Sequence, residues 1–96
     1  MKIVFSPQAR DDLREILLHI AGDNPDAARA LLKRLRSRIT DLKDTQHIGR
    51  PGRVPGTREL AVPGTAYIAP YRVSGDQLQI LRVYHGARQW PDHFGE

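Results

Sequence analysis

The feature that most constrains the fold is a pair of amphipathic helical segments joined by a very short connection. Apolar residues recur at helical spacing in two stripes, at Ala9, Leu13, Ile16, Leu17 and Ile20 and then at Ala28, Leu31, Leu32, Leu35, Ile39 and Leu42. Ser6-Pro7 predicts the start of the first helix and Gly22 its end, and Asp23 or Asn24 is expected to cap the second. Such a short connection predicts an antiparallel helical hairpin.

Strand-like runs surround this hairpin. Lys2–Phe5 predicts a strand before it, and three more are predicted after it, at Arg58–Val62, Ala66–Val73 and Leu78–His85. Gly75-Asp76 is the expected centre of a tight turn between the last two, and Thr45–Thr57 lacks periodicity and predicts a loop. The prediction is one α+β domain of order β-α-α-β-β-β over residues 1–96, with the hairpin packed on one face of a small, mainly antiparallel sheet.

The tight turn also predicts which side chains share a face of the sheet. An unbroken hairpin places Arg72 with Leu81, Val83 and His85, and places Tyr67, Tyr71, Arg82 and Tyr84 on the opposite face. Pro70 inside its run indicates either an edge strand or a bulge. Because a register slip of one residue reverses every assignment, this prediction depends on the regularity of the strands.

Length and composition limit the classes of function. A chain of 96 residues has a small core, so a surface groove is expected rather than a deep cavity. The absence of cysteine excludes disulfides, thiol catalysis and thiolate metal sites, and it favours the cytoplasm. Neither a secretory signal nor a membrane span is predicted. The net charge of +4 favours an anionic partner, or else simply reflects an arginine-rich proteome.

Arginines in the second half of the chain are the first candidate site residues. There are six, with no lysine between residues 49 and 91: Arg50, Arg53, Arg58, Arg72, Arg82 and Arg88. Cleavage of RNA through its own 2′-hydroxyl needs a base, an acid and a cation for the phosphate. Arg58, Arg72 and Arg82 could supply the cation and His85 the base or acid. Structural roles are the alternative: arginines paired with acidic groups, and a histidine at a strand end. No metal or cofactor is expected.

Aromatic residues form the second candidate set. Tyr67, Tyr71 and Tyr84 could stack on bases, although aromatic residues in strands more often belong to the core. Trp90 is expected to cover the core or to meet a partner. Together with Arg50, Arg53 and Arg88, Tyr84 and Trp90 are the predicted contacts to a macromolecular target. Apolar residues outside the two helical stripes, Leu18 and Ala30, indicate either a docking surface for a partner or a wide core face.

Several segments resemble the RelE/ParE superfamily of toxins from type II toxin–antitoxin modules. They are the opening KIVFSPQARDDLREI, a second helix that ends in IxxL before GRPG, and then TREL, YxxxYRV, LQILRVYHGAR and WP. The resemblance implies a compact toxin that a small antitoxin neutralises by wrapping its surface. The antitoxin would also bind operator DNA and repress the operon, so that this chain meets operator DNA only through it.

The resemblance leaves the molecular target open. RelE-like members cut mRNA in the ribosomal A site, whereas ParE-like members poison DNA gyrase without cutting anything themselves. Arg50 and Arg53 stand where RelE-like enzymes carry lysines, and Trp90 where they carry a tyrosine; arginine is a poor base because it scarcely deprotonates. His85 could replace the missing base. The prediction leans to a ParE-like gyrase poison, with a RelE-like ribosome-dependent RNase or a non-toxic remnant that acts only in the antitoxin complex as alternatives.

Overall fold

The computed structural model describes residues 2–45, 49–87, 90–91 and 93–94. Its elements are β1 (Lys2–Phe5), α1 (Pro7–Asp23), α2 (Pro25–Asp44), β2 (Arg50–Pro51), β3 (Arg58–Ala61), β4 (Tyr67–Ser74), β5 (Gln77–Ile80) and β6 (Tyr84–His85). The predicted α+β architecture, with a helical hairpin between the first strand and the rest of the sheet, is confirmed. Arg88, one of the predicted target contacts, lies outside the described residues.

One asparagine separates the two helices. Ser6 caps α1 as predicted, because its hydroxyl accepts a hydrogen bond from the Ala9 N–H at 3.0 Å. The predicted end at Gly22 is one residue early: the helix continues to Asp23, and the Asn24 N–H still donates to the Ile20 carbonyl at 2.7 Å. Asn24 then leaves the helical conformation, and its side chain accepts from the Ala27 N–H at 3.1 Å. The residue that ends α1 therefore starts α2.

The sheet is mainly antiparallel, as predicted. Its strand order is β1-β5-β4-β3-β2, and β6 lies beside β4. Only the pairing of β1 with β5 is parallel among the described ladders. The prediction of a plain loop from Thr45 to Thr57 is wrong at Arg50–Pro51, which pairs with Arg58 and Glu59. This short strand forms because it pairs with β3, and a local sequence pattern does not reveal which other segment of the chain a strand will pair with.

The two sides of the sheet differ in what covers them. On the helix side, Leu60, Ala69, Tyr71 and Ile80 pack against helix residues that include Leu42 in one buried cluster. The other side carries Glu59 and Arg72, which alternate with those core residues along β3 and β4. The C-terminal tail reaches this other side, which is called the tail side from here on. Trp90 and Phe94 pack there on Tyr84, Leu81 and Val54.

The third predicted strand, Leu78–His85, is interrupted by a bulge. Tyr71 pairs with Ile80 and Ile68 pairs with Tyr84, so residues 69–70 of β4 face residues 81–83 of the other strand. The extra residue reverses the faces beyond it. Tyr84 therefore lies on the tail side with Arg72, and His85 lies opposite Tyr67 on the helix side. The predicted face assignments of Tyr84 and His85 are wrong for this reason, and so is that of Val83, which lies in the helix-side core.

Pro70 explains where the bulge occurs. Leu81 donates its N–H to the Pro70 carbonyl at 2.9 Å, and in a regular antiparallel pair Pro70 would donate back. Proline has no N–H, so the Leu81 carbonyl accepts from the Ser6 hydroxyl at 2.7 Å instead. Of the two readings of Pro70, the bulge is confirmed and the edge strand is wrong, since β4 lies in the middle of the sheet.

No helix in the described part of the chain is long and apolar enough to cross a membrane.

Candidate functional site

A buried carboxylate organises the arginine-containing segment of residues 49–57 that precedes β3 and is called the basic loop from here on. Glu59 is 2% exposed and lies on the tail side of β3. Its Oε1 accepts from Nε and Nη2 of Arg50, at 3.1 and 2.9 Å. Its Oε2 accepts from the backbone N–H of Arg53 at 2.8 Å and lies 3.4 Å from the Arg53 Nε. One carboxylate therefore fixes both arginines of the loop, and the guanidinium groups satisfy a charge that could not be buried alone.

The basic loop and the C-terminal tail meet in a stack of two rings with a guanidinium at each end. The Arg53 guanidinium lies 3.9 Å above the Trp90 ring, and Trp90 contacts Tyr84 edge to face at 5.1 Å between ring centroids. The Arg82 guanidinium stacks on the same Tyr84 ring at 4.6 Å. Such cation–π and aromatic contacts orient the groups that make them. Arg50, Arg53, Arg82, Tyr84 and Trp90, with Glu59 beneath them, are called the loop–tail cluster.

Arg82 is held at the other end of the cluster by α1. Its Nε and Nη2 donate to the Asp12 carboxylate at 2.6 and 2.8 Å, and Asp12 also accepts from the Val83 N–H at 3.0 Å. The hydrogen bond to Asp12 raises the pKa of Arg82 above its ordinary value. The guanidinium is thus permanently charged, and its fork is already occupied by a protein carboxylate. It can orient Tyr84, but it cannot act as an acid or base near neutral pH.

The four residues predicted as catalytic for an RNase are only partly brought together. Arg58 and Arg72 both line a shallow cavity of about 190 Å³. Arg82 is paired with Asp12, away from that cavity. His85 is exposed, stands edge to face with Tyr67 at 5.7 Å, and accepts from the Ala87 N–H through Nδ1 at 3.2 Å. His85 pairs with Tyr67, which lies five positions from Arg72 along β4. The backbones of His85 and Arg72 are therefore about 16 Å apart, at roughly 3.3 Å per residue.

Tyrosine placement confirms the structural reading for two of the three candidates. Tyr71 and Tyr84 are buried, at 0% and 2% exposure, and Tyr67 is half-buried. The Tyr71 hydroxyl accepts from the Gly49 N–H at 3.0 Å, and Arg58 donates to the Gly49 carbonyl at 2.9 Å. Arg58 thereby helps to anchor the start of the basic loop. Trp90 covers a buried cluster, which is one of its two predicted roles.

A separate apolar groove of about 980 Å³ lies between β1 and the two helices. Leucine, isoleucine and phenylalanine side chains line it, and Leu18 within it is 64% exposed. Five basic residues and no acidic residue are among its lining: Lys2, Arg10, Arg14, Arg36 and Lys43. The outer edge of β1 has no strand partner within the described residues. The groove shares no residue with the loop–tail cluster, so this small domain carries two distinct candidate surfaces.

Two acidic residues that hold the cluster together were not predicted. Neither Asp12 nor Glu59 was given a role by the sequence pattern. Glu59 gives one usable signal, since it is a carboxylate between two residues of a strand and close to several arginines. Asp12 gives none, because its partner lies 70 residues away along the chain. Within the described ranges, no group of three potential metal-ligating side chains is found.

Comparison with known proteins defines the family. A family model described as the ParE toxin of the type II toxin–antitoxin system parDE matches residues 3–90. The chain belongs to the ParE toxin family. The toxin is also 40% identical over 90 residues to a protein of Sinorhizobium fredii named "Putative toxin Y4kP", covering 94% of this chain and 93% of that one. It is 28% identical over 89 residues to Toxin RelE1 of Caulobacter vibrioides, covering 91% and 95%.

Solved structures agree with this assignment. A structure described as a chromosomal ParDE system from P. aeruginosa matches with a TM-score of 0.80 and 31% identity, over 88% of this chain and 95% of that one. The RelBE2 toxin–antitoxin complex of Mycobacterium tuberculosis matches with a TM-score of 0.58 and 27% identity, over the same fractions of 88% and 95%. The predicted RelE/ParE membership is confirmed. The protein is a type II toxin, and a cognate antitoxin is its supported partner.

Proposed function

We propose that this toxin acts by binding, as a ParE-like poison of DNA gyrase in the cytoplasm, and that the exposed groups of the loop–tail cluster, Arg50 and Arg53 foremost, contact the target. The observation that carries the proposal is the separation of His85 from Arg72, by sheet side and by distance. An RNase needs its base, its acid and its phosphate-binding cation around one scissile bond. A binding toxin needs only a preformed surface, and the cluster has that character.

The comparisons favour the same choice. The matching family model is that of ParE, and the similarity to the ParDE structure, at a TM-score of 0.80, exceeds that to RelBE2, at 0.58. The second candidate function, a ribosome-dependent endoribonuclease, is favoured by one observation: Arg58 and Arg72 line a common cavity where a phosphate could bind. The similarity to the protein named Toxin RelE1 is a second reason to test the endoribonuclease alternative.

Inducible expression without antitoxin separates the two. We expect DNA synthesis to fall before protein synthesis, with filamentation and SOS induction, because a gyrase poison leaves broken DNA. The measurement is simultaneous pulse-labelling of DNA and protein after induction. An early loss of protein synthesis with intact DNA would contradict the proposal and favour the RNase. Unimpaired growth with folded toxin present would favour the non-toxic remnant.

His85→Ala is expected to leave toxicity nearly unchanged, because His85 is exposed and lies away from the loop–tail cluster. Growth arrest is compared at equal toxin levels for wild type, for His85→Ala and for His19→Ala, which replaces an exposed helix histidine as the control. If His85 were the general base of an RNase, the variant would lose roughly 10²–10⁴-fold in rate. A loss of that size for His85→Ala alone would overturn the binding mechanism.

We further propose that the cognate antitoxin docks in the apolar groove between β1 and the helices. An amphipathic segment with acidic flanks would match the leucine-lined floor and the rim of lysine and arginine. The free edge of β1 could also accept an extended strand of the same partner. Operator DNA would be reached through the antitoxin.

A further inference from the structure

We propose that Glu59 is the positioning residue of the toxic surface: it holds Arg50 and Arg53 in place, Arg53 against the tail, before any target is bound. This inference rests on the proposed function, in which the loop–tail cluster contacts the target. Glu59 itself is 2% exposed and therefore reaches no partner. It acts through the two arginines that it holds.

The first argument is the asymmetry of exposure between the carboxylate and its partners. The Glu59 side chain is 1% exposed, whereas those of Arg50 and Arg53 are 62% and 42% exposed. Each guanidinium therefore binds the buried carboxylate on its inner side and is exposed to solvent on its outer side. An arginine immobilised in this way loses less rotamer entropy when it binds than a free surface arginine does. A surface salt bridge that served only stability would not need a buried partner.

The second argument is that Glu59 joins elements that are distant along the chain. It stands on β3, paired with Arg50 of β2 on one edge and with Pro70 of β4 on the other, so its own position is fixed by two ladders. Through Arg53 it reaches Trp90 of the tail at 3.9 Å. A buried ion pair often stabilises a fold no more than apolar residues of similar volume would. The geometry therefore points to a role in orienting the loop.

Trp90 is the only tryptophan in the sequence, so its fluorescence reports on this contact without reference to any target. In Glu59→Gln the charge is lost while the size and one acceptor oxygen remain. We expect Trp90 emission at longer wavelength and stronger quenching by acrylamide, because Arg53 no longer covers the indole. We also expect the toxin level that halves the growth rate to rise about tenfold, the effect of losing a preorganised contact residue.

Asp26→Asn is the matched control, since it makes the same chemical change in a carboxylate that pairs with Arg29 on the exposed surface of α2. It should alter neither fluorescence nor toxicity. If Glu59→Gln does not fold by circular dichroism, Arg53→Ala replaces it, because that side chain is 42% exposed. Arg53→Ala should reproduce both changes, and the double variant should lose less than the product of the two single losses.

The outcomes are distinguishable. Folded Glu59→Gln with unchanged Trp90 fluorescence, or with unchanged toxicity, overturns the positioning role, and so does Arg53→Ala without either effect. Multiplicative losses in the double variant would also overturn it, because they would mean that Glu59 does not act through Arg53. Exclusion of the proposed target is a separate result. Pulse-labelling that shows an early loss of protein synthesis would exclude gyrase as the target. The Glu59 variants would still report on the contact between the loop–tail cluster and whichever target it binds.

Discussion

Replacing Asp12 with alanine is expected to lower the free energy of unfolding by about 2–4 kcal/mol, near the range for breaking one partner out of a buried ion pair. The Asp12 and Arg82 side chains are 12% and 25% exposed, so solvent compensates only part of the loss. The variant also leaves the Val83 N–H without its acceptor in the bulge. For a domain of this size the melting temperature should fall by roughly 10–20 °C, measured by circular dichroism.

Asp41→Ala is the control for this prediction. Asp41 pairs with Arg38 at 3.3 Å on α2, but its side chain is 50% exposed, so less than about 1 kcal/mol is expected. Asp12→Asn should fall between the two, because the amide keeps an acceptor for the Val83 N–H and loses the charge. Equal melting temperatures for Asp12→Ala and Asp41→Ala would mean that the bulge is held by packing alone. Loss of the Asp12–Arg82 ion pair should also expose Tyr84, since Arg82 stacks on its ring.

Replacing Leu18 with aspartate is expected to weaken antitoxin binding on the order of 10²-fold while leaving toxicity intact. Leu18 is 64% exposed in the free toxin, so the substitution has little effect on folding. In the complex it would remove an apolar contact from the groove and place a carboxylate opposite the acidic flanks that we expect in the antitoxin. Binding is measured by calorimetry with purified proteins, and neutralisation by co-expression in cells.

His19→Asp is the matched control for the groove. His19 is the next residue of α1, is exposed, and does not line the groove, although the charge change is the same when histidine is neutral. It should bind antitoxin as the wild type does, and co-expression should still rescue growth. Full neutralisation of Leu18→Asp would exclude the groove as the main docking site. Loss of toxicity in Leu18→Asp would instead mean that the target also uses the groove.

Many parts of the fold follow from local chemistry that is legible in the sequence. Ser6 before a proline located the start of α1, and Asp23 or Asn24 before another proline located the start of α2 to within one residue, where Asn24 is the cap. Such caps are legible because a side-chain oxygen satisfies N–H groups that the helix itself cannot satisfy. Gly75 at the tight turn adopts φ of 57°, a conformation that glycine adopts without strain, and the turn pairs Ser74 with Gln77. These features depend on a few neighbouring residues, which is why they could be predicted.

The sequence predicted which residues form the candidate site better than it predicted how they are arranged on the sheet. Arg50, Arg53, Tyr84 and Trp90 were expected to contact a target and do lie together. Tyr84 is 2% exposed and is buried beneath the others, so its predicted contact is wrong, whereas the role of the other three remains a prediction. His85 was expected on the same face of the sheet as Arg72 and lies on the opposite face. The error has a single cause: one additional residue in the bulge changes the side of the sheet on which every later side chain lies. Pro70 indicated an irregularity in the sequence, but the sequence pattern did not distinguish an edge strand from a bulge.

The sequence by itself determined the helical hairpin, the predominantly antiparallel sheet and the arginine-rich second half, because helix caps, turns and apolar periodicity act over a few residues. Only the tertiary structure decided which charges meet. Asp12 pairs with Arg82 across 70 residues, and Glu59 binds both Arg50 and Arg53, of which Arg53 contacts the tail. The Asp12–Arg82 pair lies next to the bulge, where Leu81 hydrogen-bonds to Pro70 of β4 and to Ser6, the N-cap of α1. Long-range hydrogen bonds of this kind have no local pattern, so the surface they build becomes visible only in the folded chain.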